Sequence, residues 1–210
     1  MNIEENITQK IDLINNIGLC RYKNFVAQQN HNAFSVFYDF LKDQKPKNIL
    51  EIGTGLGGFT QFLDLCIQEL QLDTKLISFE IRGQAWHEEM ISSGLDIRIQ
   101  NIFNDDYSSV EPFIVDFIQQ EGLTLVLCDG GDKVREFSLL SKFLKTNDII
   151  MAHDYAPNRE YFEEHYREKI WNWMEIQDCD INQTCEEQQL IPFNMEKFGN
   201  VAWVCRIKNV

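Results

Sequence analysis

Residues 48–58 read Asn-Ile-Leu-Glu-Ile-Gly-Thr-Gly-Leu-Gly-Gly, and this stretch decides the fold. Its first five residues have the apolar character of a buried strand. The apolar side chains that follow recur at three- and four-residue spacing, which is typical of one face of a helix. Glycines admit a left-handed backbone and let a ligand approach without a Cβ in the way. A helix directly behind them presents free N–H groups. The stretch therefore predicts a strand, a ligand-binding turn and a helix.

The rest of the chain alternates between strands and helices in the same way. Further strands are predicted at 75–80, 96–100, 123–128, 148–153, 174–178 and 200–207. Helices are predicted between them at about 84–92, 110–118, 133–145 and 158–173. Continuous apolar strands between amphipathic helices are typical of a parallel sheet covered on both faces. The pattern predicts an α/β fold with a doubly wound, mostly parallel, seven-stranded sheet.

Length and composition favour one globular domain that binds neither nucleic acid nor membranes. The chain has 210 residues, of which 44% are hydrophobic, and a net charge of −14. This is enough apolar material for one sizeable core. The acidic balance opposes binding to phosphate backbones and to anionic lipid. No apolar run approaches about 18 residues, the start resembles no secretory signal, and the cysteines are irregularly spaced. A cytoplasmic protein with reduced thiols is expected.

The glycine pattern admits two interpretations. Gly53, Gly55 and Gly58 satisfy the G-x-G-x-x-G fingerprint of dinucleotide-binding proteins. Gly53, Gly55 and Gly57 satisfy a tighter G-x-G-x-G pattern, with Glu51 two residues before the first glycine. This second pattern resembles the first motif of class I S-adenosylmethionine-dependent methyltransferases. Glu51 favours it, because a pyrophosphate requires only backbone donors, whereas a cationic methionine group with a free amine benefits from a carboxylate.

The resemblance implies further residues that would hold S-adenosylmethionine. Glu80 ends the second strand, where a carboxylate can accept hydrogen bonds from two ribose hydroxyls. Asn101 stands where such methyltransferases often carry an acid that contacts the adenine amino group. Ile102 and Ile81 would then face each other across the adenine. The implied cofactor site consists of Glu51, Gly53, Thr54, Gly55, Gly57, Glu80, Ile81, Asn101, Ile102 and Asp129.

Two more motifs follow the fourth and fifth strands, Cys-Asp-Gly-Gly-Asp-Lys and Met-Ala-His-Asp-Tyr. The run 123–155 is similar to small-molecule O-methyltransferases and to the cephalosporin-hydroxylase-like branch of the same fold. Divalent-metal members hold Mg²⁺ with acids at these two strand ends, which implies Asp129 and Asp154 as ligands here. Mg²⁺ stays open, because Tyr155 stands where a third ligand is usual. His153 is the alternative as a general base, since its ordinary pKa lies near working pH. These three residues, Asp129, His153 and Asp154, are the catalytic candidates.

We expect the single domain to consist of three parts. Residues 1–45 are expected to form an N-terminal helical cap, residues 46–155 the cofactor-binding core, and residues 156–210 an acceptor-side segment with the final strands. Residues 154–197 hold 11 acidic and 4 basic side chains, which favours a neutral or basic acceptor molecule. Lys133 is expected to be a solvated lysine at a helix start; the alternative is a desolvated lysine that acts as a base. The four large aromatic residues that follow the fifth strand are expected either to line the acceptor pocket or to pack in the core; they are Tyr161, Tyr166, Trp171 and Trp173.

The resemblance implies methyl transfer to a small hydroxylated molecule, which is O-methylation. One alternative is an NAD-type Rossmann oxidoreductase, although Tyr166, after the fifth strand, is followed by Lys169 three residues on, not by a lysine at the four-residue spacing of Tyr-x-x-x-Lys. The other is a cofactor-binding member of the fold that does not catalyse transfer, because no acceptor-specific motif is present. The partner expected in each enzyme case is a small molecule, and a homo-oligomer stays open.

Overall fold

The computed structural model describes residues 11–13, 19–22 and 24–210 of the chain. The strands of this part are β1 Ile11–Leu13, β2 Leu19–Tyr22, β3 Phe25–Gln28, β4 Asn48–Ile52, β5 Lys75–Glu80, β6 Ile97–Ile99, β7 Thr124–Cys128, β8 Ile149–Ala152, β9 Leu190–Pro192 and β10 Val204–Lys208. The helices of the same part are α1 Ala33–Gln44, α2 Gly58–Glu69, α3 Ala85–Ser92, α4 Pro112–Ile118, α5 Lys133–Leu140, α6 Arg159–Tyr161, α7 Asp178–Glu187 and α8 Met195–Phe198.

Seven of these strands form one sheet in the order β6-β5-β4-β7-β8-β10-β9. Strands β4 to β8 pair in parallel, and β10 runs antiparallel to both β8 and β9. Within this sheet the chain first forms the central strand β4 and then adds β5 and β6 on one side of it. It then crosses to the other side of β4 and adds β7 and β8 there. The predicted doubly wound, mostly parallel sheet with an antiparallel last strand is confirmed.

The sheet is buried on both faces, and residues along its central strands alternate between two cores. Leu50, Val126 and Ile150 stand side by side in register and belong to the core beneath α4, α5 and α7. Their neighbours Ile49 and Leu125 point to the opposite core, which packs against α1 and α2. Because side chains on a strand alternate between faces, a strand covered on both sides must be apolar throughout. This is why the continuous apolar runs identified the central strands.

The N-terminal segment differs from the predicted helical cap. Strands β1, β2 and β3 form a separate antiparallel sheet, and of the described residues up to 45 only those of α1 fulfil the expectation of helix. Cys20 and Tyr22 are buried on either side of the exposed Arg21, and Phe25 and Ala27 repeat the alternation. That period of two is the signal of a half-buried strand. The parts of the predicted cap at residues 1–10, 14–18 and 23 lie outside the described residues.

The acceptor-side segment also departs from expectation. The predicted helix over 158–173 is limited to α6 and one wider turn, Phe162–Tyr166, after which Glu168 adopts a left-handed backbone. The helix ends because Phe162, Tyr166 and Trp171 pack together in a small core of their own. The predicted strand at 174–178 is a single bridge between Tyr155 and Ile176, and the sixth strand of the sheet is β9 instead.

The predicted helix at 133–145 is α5 followed by the tighter turn Ser141–Phe143. The final strand begins later than predicted, because residues Gly199–Val201 form a short helical turn before β10. No helix among the described residues combines the length and the apolar character needed to cross a bilayer.

Candidate functional site

The glycine turn after β4 touches the turn after β7 backbone to backbone. Gly53, Gly55 and Gly57 all have positive φ, at 92°, 56° and 85°, a region that side chains other than glycine rarely adopt. A Cβ built on Gly53 would lie 2.2 Å from the carbonyl oxygen of Asp129. Only glycine fits at that position, and its fit brings the ends of β4 and β7 together.

Gly55 is held from two sides. Its N–H donates to Glu80 Oε2 at 2.9 Å, and its carbonyl oxygen lies 2.8 Å from His87 Nε2. Glu80 Oε1 accepts a second backbone N–H, from Ile81 at 2.9 Å. The turn is therefore preformed by contacts from the end of β5 and from α3. The role of His87 was not predicted, because its contact is with a residue 32 positions earlier.

An apolar cavity of about 330 Å³ opens beside Glu80. Its walls include Ile81, Asn101 and Ile102, all predicted to hold the cofactor. The Asn101 side-chain carbonyl accepts the backbone N–H of Phe103 at 3.1 Å, which fixes the orientation of the carboxamide. The structure thus gathers the predicted ribose and adenine residues around one cavity.

A polar cavity of about 270 Å³ lies on the other side of the glycine turn. The two cavities share four wall residues, Gly53, Gly55, Asp129 and Gly130. The walls found only in the polar cavity include Gln29, Thr54, Gly57, Lys133, His153, Asp154, Trp171, Trp173 and Glu175. All three predicted catalytic residues are therefore adjacent to the predicted cofactor residues. Of the four aromatic candidates, the two tryptophans line this cavity, whereas Tyr161 and Tyr166 line a separate surface groove.

His153 lies at the base of the polar cavity, in contact with two tryptophan rings and two carboxylates. Its ring lies 4.9 Å from the ring centroids of both Trp171 and Trp203. Its Nδ1 approaches Asp129 Oδ1 at 3.1 Å and Asp154 Oδ1 at 3.5 Å, while Nε2 is buried and has no hydrogen-bond partner among the described residues. Burial lowers the pKa of His153, but the two carboxylates outweigh it and leave the pKa above its ordinary value. The geometry holds the imidazole rigidly against both acids.

Asp129 is oriented by a chain of hydrogen bonds that sequence reasoning missed. Gln29, the residue after β3, donates from Nε2 to Asp129 Oδ2 at 2.9 Å. Trp203 Nε1 in turn donates to Gln29 Oε1 at 2.8 Å. Burial raises the pKa of Asp129, against the opposing pull of His153 and Lys133. The small N-terminal sheet therefore supplies a positioning residue to the site.

Lys133 is not the solvated lysine that was expected. Its side chain is 5% exposed, and Nζ lies 2.9 Å from Asp154 Oδ2 and 2.8 Å from Glu175 Oε2. Burial raises the pKa of Asp154, but His153 and Lys133 outweigh burial and hold that pKa below its usual value. The Trp171 indole N–H also donates to Asp154. The carboxylate of Asp154 is thus neutralised by groups of the protein itself.

The donor set of this cluster can be compared with the needs of a metal ion. Asp129, His153 and Asp154 each offer one ligand atom, and these atoms lie within 4.8 Å of one another, which is close enough to surround a cation. The imidazole Nδ1 is directed at the two acids rather than at a shared centre, and the ammonium of Lys133 stands between them. A divalent ion would have to displace that ammonium, so the residues as arranged do not fit Mg²⁺.

Glu51 lies beneath the glycine turn and is buried. Its Oε2 accepts the hydroxyl of Thr60 at 2.7 Å, and it is not on the wall of either cavity. Burial raises the pKa of Glu51 to about 7, although hydrogen bonds from Ser78 and Thr60 oppose the shift. Its predicted contact with the amine of a cofactor stays a prediction.

The raised pKa of Glu51 gives an expected pH dependence of stability. An acid whose pKa is raised on folding favours the folded state at low pH, and this advantage is lost as pH rises through the folded pKa. Since one pKa unit corresponds to about 1.4 kcal/mol, we expect stability to fall by about 2 to 3 kcal/mol between pH 5 and pH 8 on account of Glu51. Glu51→Gln should flatten this part of the curve, measured by urea unfolding at several pH values.

The matched control is Glu121→Gln, because Glu121 is an exposed carboxylate. Its unfolding curve should keep the wild-type pH dependence. A Glu51→Gln curve that coincides with that of the wild type from pH 5 to pH 8 would contradict the assignment.

The fold matches solved methyltransferase structures. The ligand-free structure of CmcI superposes with a TM-score of 0.57 at 9% identity, covering 85% of this chain and 71% of that one. The CMeT domain of the citrinin polyketide synthase gives 0.55 at 11% identity, covering 86% of this chain and 54% of that one. A SAM-dependent O-methyltransferase from Thermotoga maritima gives 0.50 at 12% identity, covering 85% and 65%.

No protein-family model matches the sequence, and neither does any curated protein. At identities this low, the structural likeness establishes the fold alone. The prediction of a Rossmann-like methyltransferase fold is thereby confirmed, and the chemistry must be argued from the residues of this chain.

Proposed function

We propose that this protein is an S-adenosylmethionine-dependent methyltransferase that transfers a methyl group to the hydroxyl of a small molecule. The observation that carries the proposal is the pair of cavities that meet at Gly53, Gly55, Asp129 and Gly130. The apolar cavity suits a nucleoside, and the polar cavity suits an acceptor with a hydroxyl group. Their shared wall is where a reacting group between the two would lie. Ligands of open α/β sheets bind at this carboxyl edge of the strands.

Solved neighbours support the cofactor. The structure of CmcI has been solved with S-adenosylhomocysteine (SAH) and, in another structure, with Mg and S-adenosylmethionine (SAM). The present chain reaches TM-scores of 0.54 and 0.51 with those structures, at 10% and 11% identity. Glu80 supports the same cofactor, since its carboxylate stands at the wall of the apolar cavity as an acceptor for ribose hydroxyls.

The chain's residues have separable roles in this proposal. When bound, S-adenosylmethionine would supply its sulfonium methyl group to the acceptor oxygen, and the electron pair of the broken carbon–sulfur bond would stay on sulfur. Asp129 lies at the shared wall and accepts the hydroxyl proton, which is favoured by the raised pKa of this partly buried carboxylate. Nε2 of His153 is buried and Nδ1 faces the two acids, so His153 orients Asp129 and Asp154 rather than acting as the base. Catalysis then rests on proximity and alignment.

The charge of the polar cavity limits the acceptor. Three carboxylates, of Asp129, Asp154 and Glu175, surround the cationic Lys133, with His153 behind them. The exposed Trp173 adds an aromatic surface at the cavity wall. A neutral or cationic hydroxylated molecule with a planar part suits these walls better than an anion does.

Isothermal titration with S-adenosylhomocysteine and with NAD tests the cofactor. We expect micromolar binding of S-adenosylhomocysteine at one site per chain and no heat from NAD. Methyl transfer would then be sought with radiolabelled S-adenosylmethionine and a panel of phenols and aliphatic alcohols. Binding of NAD alone would indicate an oxidoreductase. A protein that binds S-adenosylhomocysteine but methylates nothing in the panel would favour a non-catalytic member of the fold.

A further inference from the structure

The ammonium of Lys133 is saturated with hydrogen-bond acceptors. Nζ donates to Gly130 O at 3.0 Å, to Glu175 Oε2 at 2.8 Å and to Asp154 Oδ2 at 2.9 Å. A fourth oxygen, Asp129 Oδ1, lies 3.7 Å away. A lysine ammonium has three N–H donors. All three are therefore used inside the protein, on oxygens that come from three separate segments of the chain.

The position of Lys133 in its helix is unfavourable unless the charge is needed where it lies. Lys133 is the first residue of α5, directly after the capping residue Asp132. The amino end of a helix carries partial positive charge and favours acids over bases. Burying an ammonium at that point is costly without compensating carboxylates. Three carboxylates surround the ammonium of Lys133, so the sequence places a cation among acids that could otherwise bind a metal.

The carboxylate oxygens of the cluster are already engaged by nitrogen donors. Asp129 Oδ2 accepts from Gln29 and Asp129 Oδ1 faces His153. Asp154 Oδ1 accepts from the indole of Trp171, and Asp154 Oδ2 faces Lys133. A metal ion requires oxygens whose lone pairs converge on one centre. The two oxygens that face a common point, Asp129 Oδ1 and Asp154 Oδ2, face Nζ of Lys133, at 3.7 Å and 2.9 Å.

We propose that Lys133 is the resident cation of this site and takes the place of a divalent metal between Asp129, Asp154 and Glu175. The lysine holds the two strand-end acids in position and reduces their negative charge next to the acceptor. Glu175 is the most exposed of the three acids, since its side chain is 48% exposed. On this proposal the protein needs no added metal ion at this cluster.

The catalytic side of this inference rests on the proposed methyl transfer. A fixed ammonium 3.7 Å from Asp129 Oδ1 stabilises negative charge that develops on an acceptor oxygen at that wall. The placement of the cation does not depend on the reaction, because it follows from the contacts of Lys133 alone.

The test measures binding of Mn²⁺, which serves as a paramagnetic probe for Mg²⁺ sites, by the loss of the free-ion EPR signal. The wild type should bind no Mn²⁺ at this site at concentrations up to about 1 mM, because Lys133 occupies it. Methionine is similar in length to lysine and carries no charge. The Lys133→Met protein should therefore bind one Mn²⁺ per chain, at least tenfold more tightly than the wild type does. Asp154→Asn added to Lys133→Met should abolish that gain.

Lys145→Met is the matched control. Lys145 Nζ also pairs with a buried acid, Asp148 at 2.7 Å, but with one carboxylate only, so its removal should create no Mn²⁺ site. Two results would overturn the proposal. The first is a wild type that binds one Mn²⁺ tightly and loses it in Asp154→Asn. The second is a Lys133→Met protein with native circular dichroism that still binds none.

If Lys133→Met does not fold, Lys133→Gln replaces it, and the wild-type titration remains decisive in either case. Titration of the same proteins with S-adenosylhomocysteine separates the two proposals. A wild type that does not bind S-adenosylhomocysteine argues against the proposed function, whereas the Mn²⁺ results still decide the role of Lys133.

Discussion

Gly53→Ala is expected to lower the free energy of unfolding by about 3 kcal/mol or more and to remove binding of S-adenosylhomocysteine. The new Cβ would lie 2.2 Å from Asp129 O and 2.8 Å from Gly130 N, both backbone atoms that no side-chain rotation can move away. Overpacking of this kind costs about 1 to 3 kcal/mol, and a left-handed alanine about 1 to 2 kcal/mol. The turns after β4 and β7 must separate, and they form the shared wall of both cavities.

Gly94→Ala separates the two contributions. Gly94 has a similar φ of 104°, but a Cβ there would meet nothing within 4 Å. This variant therefore carries the backbone strain without the collision, and its loss of stability should be about 1 to 2 kcal/mol. Urea unfolding and isothermal titration with S-adenosylhomocysteine measure both effects. Equal stability losses in the two variants would contradict the close contact between the turns.

The central fold could be predicted because its signals are local. β4, β7 and β8 are buried on both faces, and each is a continuous apolar run in the sequence. The glycine turn followed β4 directly, so its conformation was also encoded within a few residues. The strand-end rule then brought Asp129 and Asp154 to the same edge without any knowledge of contacts.

The errors in predicting secondary structure arose where tertiary packing decides. The predicted helix over 158–173 ends at Tyr166, because Phe162, Tyr166 and Trp171 pack together in a small core from which the Trp171 indole donates to Asp154. The hairpin of β2 and β3 was hidden by its shortness, although Cys20 and Tyr22 alternate with Arg21 as a strand requires.

The missed site residues have contacts that are distant in sequence. Gln29 reaches Asp129 across 100 positions, and Lys133 reaches Glu175 across 42. A glutamine after a strand and a lysine at a helix start carry no local signal of such partners. The sequence therefore indicated which acids form the site, but not which groups neutralise and orient them.

Glu80→Ala is expected to weaken binding of S-adenosylhomocysteine by about 100-fold while the protein stays folded. On the proposed function, the carboxylate accepts two ribose hydroxyls, and a hydrogen bond to a charged group contributes about 1.5 to 3 kcal/mol. The loss of two such bonds is enough for the effect, since about 1.4 kcal/mol corresponds to a factor of ten. Glu80→Gln keeps one carbonyl acceptor, so it should bind S-adenosylhomocysteine about tenfold more weakly than the wild type does. Glu88→Ala, on the exposed side of α3, is the control and should bind normally.

Weaker binding of S-adenosylhomocysteine by Glu80→Ala would have a second explanation, because Glu80 also accepts hydrogen bonds from the N–H groups of Gly55 and Ile81. A cycle of two proteins and two ligands separates a direct ribose contact from a loosened turn. The wild type should bind adenosine more tightly than 2′,3′-dideoxyadenosine, which lacks both hydroxyls, whereas Glu80→Ala should bind the two alike. If the variant discriminates between them as strongly as the wild type does, Glu80 supports the turn and does not bind the sugar. Loss of discrimination would assign the ribose to this carboxylate, because a loosened turn would weaken both ligands by the same factor.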